Sequence, residues 1–239
     1  MPTVSVYVPA RLNSQRLPRK ALRDFHGRPL VTVVLDTLKQ ARTVTDFCVN
    51  TESEEIAQVA RAAGTRVYPR AAELAQAATT TEEILADFAA GCDCDFVAAI
   101  NPTNPLLTAQ TVDRFFEAMF NGGFDTAFSV SEHRKHVLMD GVPVNYSPFG
   151  PHPRTQDVTQ VCMLNWAIVA WRTDLVQRLV QQRGDSIYLG KTGFIPIPAI
   201  EAVDIDDQYD FDMALALADF TRKQAQPSAR RAGPARDAA

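Results

Sequence analysis

"VSVYVPARLNSQRLPRKAL", residues 4–22, decides the architecture. An apolar run over Val4–Val8 predicts a strand. It leads straight into a loop carrying Arg11, Arg16, Arg19 and Lys20, with Arg23 just beyond. A helix is predicted next, over Leu30–Ala41, so the basic loop joins a strand to a helix. The alternation continues along the chain. Strands are predicted over Asp46–Asn50, Thr65–Tyr68, Phe96–Ile100, Thr126–Val130, Met163–Ala170 and Phe194–Ile197. Thr51-Glu52-Ser53-Glu54 and Thr80-Thr81-Glu82-Glu83 are patterned as capping boxes that open helices running to Ala63 and Ala90. Further helices are predicted over Thr108–Asn121 and Thr173–Gln182. Phe96–Ile100 is nearly all apolar, as a strand covered on both faces requires. This βαβα order predicts a three-layer α/β/α fold with a doubly wound, mostly parallel, Rossmann-like sheet. In such a sheet ligands bind at the carboxyl ends of the strands, which points to residues 10–20.

The alternation breaks over residues 131–161, which contain Pro143, Pro148, Pro151, Pro153 and the pair His133/His136. So long an irregular stretch is expected to serve function or assembly. A last helix is predicted to line one face with Tyr209, Met213, Leu217 and Phe220, and beyond Gln224 the composition shifts to Ala, Arg, Pro and Ser. Residues 1–224 are therefore expected to form one domain and 225–239 a disordered tail.

The net charge of −4 argues against broad nucleic-acid or membrane-surface binding, so the basic loop needs a local explanation. Cys48, Cys92, Cys94 and Cys162 show no framework spacing, and reduced thiols are expected. The first strand begins without a signal segment, and no apolar run reaches the ~20 residues of a membrane span. A soluble, cytoplasmic protein is expected.

Three constellations carry chemistry. In the first loop, backbone N–H groups, Arg forks and a Lys point charge suit phosphate oxygens, although a solvated basic turn would look the same. In Val203-Asp204-Ile205-Asp206-Asp207, alternation sends Asp204 and Asp206 to one side, which suits Mg²⁺; an N-cap at Asp206 or Asp207 is the alternative. Asn101-Pro102-Thr103-Asn104-Pro105 follows the central strand and offers uncharged groups to a sugar's hydroxyls, or merely makes a turn before the Thr108 cap. His133-x-x-His136 lacks an evident third metal ligand.

At these residues the sequence resembles the acylneuraminate cytidylyltransferases, or CMP-nonulosonate synthetases. Arg11 to Lys20 is similar to that family's R-x-x-S-x-R-x-P-x-K loop, and Asn50–Ala57 to its strand-to-helix motif. Arg70-Ala-Ala-Glu73-Leu74-Ala75 resembles R-P-x-E-L-A, and Asn101–Thr108 resembles Q-P-T-S-P-L-R-T. Arg154-Thr155-Gln156-Asp157 with Asn165-Trp166-Ala167-Ile168 looks like R-R-Q-D…N-G-A-I, and Asp204–Phe211 like D-I-D-T-x-x-D-F. The motifs stand in order over residues 4 to about 220.

The resemblance implies a nucleotide-diphospho-sugar transferase-like fold, with the excursion as a dimer contact. It implies transfer of CMP from CTP to the anomeric hydroxyl of an acidic nine-carbon sugar, or an eight-carbon one, with release of pyrophosphate. Arg11, Ser14, Arg16 and Lys20 would hold the triphosphate, with Arg11, Lys20 and Asp206 as the catalytic set. Asp204 and Asp206 would hold Mg²⁺. Arg70, Thr80 and Thr81 would meet the cytosine, and Asn101, Thr103, Lys135, Arg154 and Gln156 the sugar. Several positions depart from the family pattern. Leu12-Asn13 stand for Gly-Gly and Ala21 for Asn, which bears on nucleotide handling; Asn101 stands for Gln, and Leu107 and Thr155 for Arg and Trp166 for Gly, the last three pointing to an altered acceptor pocket. The related CMP-KDO synthetases share the R-L-P-x-K loop ending, but their Gly-Asp-Glu-Pro turn is absent. A degenerate nucleotide-binding module is the reading outside enzymes.

Overall fold

The computed structural model describes residues 1–182 and 186–225. Alternation along β1 (Val4–Pro9) builds two cores at once. Val4, Val6 and Val8 pack with α1 (Leu30–Gln40), α2 (Glu54–Ala62) and α4 (Ala109–Gly122). Tyr7 packs on the other face, with α3 (Thr81–Ala90) and α5 (Thr173–Gln182). The expected three layers are therefore present.

The remaining strands are β2 (Asp46–Thr51), β3 (Arg66–Pro69), β4 (Phe96–Ile100), β5 (Thr126–His133), β8 (Val161–Arg172) and β9 (Thr192–Pro196). They join β1 in one seven-stranded sheet of order β3-β2-β1-β4-β8-β5-β9. The pairs β1/β2, β1/β4, β2/β3 and β5/β9 are parallel. Only β8 runs against both of its neighbours, β4 and β5. The excursion lengthens β5 and forms a small hairpin of β6 (Leu138–Met139) and β7 (Val142–Pro143). There His136 stacks on His152, with ring centroids 4.3 Å apart.

Two local expectations need correction. The cap of α2 is Ser53, whose hydroxyl accepts from the Ile56 N–H, while Thr51 is the last residue of β2. The box at Thr80 is present, with Glu83 reaching back to the Thr80 N–H. On α6 (Gln208–Ala225) the Tyr209/Met213/Phe220 face is exposed, and Phe211, Ala214 and Ala218 turn inward. The two alanines let α6 lie close, and Phe211 packs with Leu17, Phe25, Leu30 and Ile205. That packing welds the first basic loop to the Asp204–Asp206 segment. Of the expected tail, Ala225 ends α6, and residues 226–239 lie outside the described residues.

Candidate active site

The loop after β1 closes without glycine. Arg19 takes a left-handed conformation (φ 56°) and starts a tight turn over Lys20–Leu22. Leu17 is 2% exposed and Ala21 6%, so both anchor the loop in the core. Between these anchors Lys20 is left at the strand end, while Arg19 turns away to Glu55. A cavity of about 270 Å³ opens there, lined by Arg11, Ser14, Gln15, Arg16, Lys20 and Thr103 among others.

The acidic segment reaches this cavity although it forms no strand. Ile205 is fully buried, its N–H donates to the Thr103 carbonyl (2.9 Å), and Asn104 Nδ2 donates to the Val203 carbonyl (3.0 Å). With Ile205 turned inward, its two neighbours turn outward together. Asp206 Oδ1 lies 2.6 Å from Arg16 and 3.5 Å from Lys20 Nζ, which itself donates to the Ile205 carbonyl (2.5 Å). The capping alternative falls on Asp207. Its carboxylate accepts from the Asp210 N–H (3.0 Å), and Asp210 accepts in return from the N–H groups of Asp206 and Asp207. The side chains of Asp204 and Asp206 are thus free of the cap.

Asp204 is exposed as a residue, and its carboxyl lies near Thr103, Lys20 and Asp206. Desolvation raises its pKa from the usual carboxylate value; a hydrogen bond with Thr103 and the Lys20 charge oppose this, and the Asp206 charge adds to it. Between the ordinary and the raised pKa the folded chain holds a proton that the unfolded chain has lost, so stability falls as pH rises through that window. Asp204→Asn is therefore expected to melt at or slightly above the parent at pH 7, and level with it in acid where both folded and unfolded carboxyls are protonated. Activity should drop at least about tenfold. Thermal melts across pH, beside activity at pH 7, check both halves.

Other expected site residues are placed differently. Arg70 is buried beside β2, donating to Asn50 Oδ1 (2.6 Å) and the Asn50 carbonyl (3.1 Å). Burial lowers its pKa, partly offset by Glu52. Thr80 spends its hydroxyl on the α3 cap, and Thr81 begins that helix. The Asn101 amide donates to the Trp166 carbonyl (2.7 Å). Lys135, Arg154 and Gln156 lie on the excursion, none of them lining the cavity. Arg154 is paired with Asp157 there (2.7 Å).

Glu52 borders the loop although its sequence context fits only a cap. Its Oε1 accepts the Leu12 N–H (2.9 Å), so this loop amide is committed to the protein. Glu52 Oε2 and Asn50 Nδ2 are buried without partners next to Arg70. Such orphaned groups mark a place where a ligand's polar edge would be satisfied.

A family model described as "Cytidylyltransferase" matches residues 6–194. The chain belongs to this cytidylyltransferase family. It is 26% identical over 220 residues to N-acylneuraminate cytidylyltransferase A of Danio rerio, covering 88% of this chain and 50% of the relative. It is 33% identical over 109 residues to a 3-deoxy-manno-octulosonate cytidylyltransferase of Acinetobacter baumannii, covering 46% and 43% respectively. The chain thus spans about half the length of the curated relatives it matches. Among solved structures it is similar to CMP:2-keto-3-deoxy-manno-octonic acid synthetase complexed with CTP. That likeness has a TM-score of 0.69 at 18% identity, covering 92% of this chain and 99% of that one. A 4-diphosphocytidyl-2C-methyl-D-erythritol synthase from Anaerococcus prevotii gives a TM-score of 0.65 at 13% identity, covering 91% and 96%. At these identities the structural likeness is one of fold.

Proposed function

We propose that the chain transfers CMP from CTP to the anomeric hydroxyl of a nonulosonic acid, sialic acid or a relative of it. The hydroxyl oxygen would bond to the α-phosphorus as the bond to the departing pyrophosphate breaks. The observation that carries this reading is the meeting of Arg16 and Lys20 with Asp206 in one cleft, from segments about 190 residues apart. Such a site can neutralise a triphosphate and hold its counter-ion together.

Arg11, Ser14, Arg16 and Lys20 are proposed to bind the triphosphate, with Arg70, Thr80 and Thr81 on the cytosine side. Asn101, Thr103, Lys135, Arg154 and Gln156 are proposed for the acid. Asp204 and Asp206 fit Mg²⁺, because two outward carboxylates give hard oxygen donors and leave the rest of its shell to phosphate oxygens and water. Bound there, the ion would supply charge stabilisation at the phosphates. Arg16 now occupies Asp206, so nucleotide arrival would draw Arg16 onto the phosphates and release the carboxylate.

A homodimer through the excursion is part of the proposal. Leu138, Met139, Val142, Val144 and Phe149 are all exposed there, as an unpaired interface would be. The reading includes a cytoplasmic setting, where the four free cysteines stay as thiols. No helix among the described residues is long and apolar enough to cross a membrane. A KDO-type acceptor is the second reading, favoured by the 33% identity to an octulosonate enzyme. An acceptor panel with CTP and Mg²⁺ separates the two. Turnover with N-acetylneuraminate or a related nonulosonate, and none with 3-deoxy-manno-octulosonate, is expected. The reverse pattern overturns the nonulosonate assignment.

A further inference from the structure

Trp166 holds a backbone conformation that bulky residues rarely adopt. Its φ is 57°, in the left-handed region where a Cβ crowds the following carbonyl. It sits on a bulge of β8. Phe128 faces Val169 across the β5–β8 ladder, but Val130 faces Leu164, where an unbroken ladder would put Ala167. Side chains hold this extra length in place. Asn165 Oδ1 accepts from the Ser129 hydroxyl (2.5 Å) and the Ala167 N–H (3.3 Å), while its Nδ2 donates to Ser131 Oγ (3.1 Å). Ser129 Oγ accepts from the Ile168 N–H (2.9 Å), and Asn101 Nδ2 clamps the Trp166 carbonyl (2.7 Å). A strained residue fixed by so many bonds is a built feature, and bulges beside binding sites re-aim side chains.

Its position indicates what it is aimed at. Ile100 pairs with Ile168, so Trp166 lies beyond the carboxyl end of β4, next to the turn whose Pro102 and Thr103 line the cleft. The basic loop and the Asn50–Arg70 pair occupy the β1–β2 side. The β8 side is left for the second substrate. The indole stands edge-on to Phe128 (centroids 5.8 Å apart, 84°) and keeps 36% of the residue exposed.

We propose that Trp166 is a specificity-determining residue, the platform against which the acceptor acid's ring packs its apolar C–H face. The proposal rests on the function given above. An indole supplies a large rigid apolar surface at little entropic cost, and it disfavours polar substituents on the face it covers.

Steady-state kinetics of Trp166→Gly and Trp166→Asn, both tolerant of the left-handed conformation, test the proposal. The acceptor KM should rise at least about tenfold while the KM for CTP moves less than about threefold. The melting temperature should hold or rise, because the strain is relieved. Fluorescence gives a second readout. The chain has two tryptophans, and Trp171 is fully buried with its indole N–H on the Ile187 carbonyl (2.8 Å). Adding N-acetylneuraminate to the CTP-loaded parent without divalent cation should change tryptophan emission, and Trp166→Gly should lose that change. An unchanged acceptor KM in the variants overturns the proposal alone, and a lowered melting temperature or a split dimer beside it gives Trp166 a packing role. A parent chain that turns over no acid overturns the proposed function, and the platform with it.

Discussion

Asp206→Asn is expected to lower kcat/KM by at least about 10³-fold while the melting temperature stays within about 3 °C of the parent. The two halves of this prediction have separate causes. Asp206 is 38% exposed in its side chain, and its pairs with Arg16 and Lys20 face the open cleft. Exposed ion pairs of this kind contribute only about 0–1 kcal/mol. The surrounding backbone is held by other groups, with Ile205 in the core and the Asp206 N–H on Asp210. The amide therefore keeps the fold but loses the charge that a hard cation needs. Arg16 and Lys20 keep their charge, so CTP should still bind. A variant that binds CTP and fails to turn it over separates the metal role from the nucleotide seat. Near-normal activity would remove Asp206 from the metal site.

Lys20→Met should act on the other partner. Lys20 is the more enclosed of the two cations on Asp206, with 13% of its side chain exposed, against 66% for Arg16. Methionine preserves the apolar stem beside Ala21 and removes the ammonium group. The KM for CTP should rise, and kcat/KM should fall by about 10²–10⁴-fold. Arginine at this position should restore little, since a planar fork cannot take the place of a compact ammonium in so tight a corner. Isothermal titration with CTP beside steady-state kinetics checks the loss of binding. An unchanged KM for CTP would move the triphosphate elsewhere.

Much of this site was legible because its parts follow strand ends. The order of strands and helices placed the Arg11–Lys20 loop and the Asn101–Thr108 turn at carboxyl ends, and alternation alone turned Asp204 and Asp206 the same way. Strand direction was not legible: β8 runs antiparallel to β4 and β5, and an apolar run looks the same in either direction. The α6 face was misjudged because the residues that follow Phe211 on the buried side, Ala214 and Ala218, are small. Two alanines beside Phe211 carry the buried side, while Tyr209, Met213 and Phe220 stay outside. Thr51 and Ser53 both suit a cap, and only the end of β2 decides between them. Glu52, Asn50 and the left-handed Trp166 depend on contacts between distant segments, which no local pattern encodes.

The central claim is nucleotidyl transfer, and the identity of the released phosphate tests it most directly. The chain is incubated with CTP, Mg²⁺ and a nonulosonic acid, and the products are separated and weighed by mass spectrometry. The account predicts one pyrophosphate for each CMP–sugar conjugate, with neither formed when the acid is left out. Tight CTP binding with no conjugate from any acid, or release of orthophosphate in place of pyrophosphate, would contradict it.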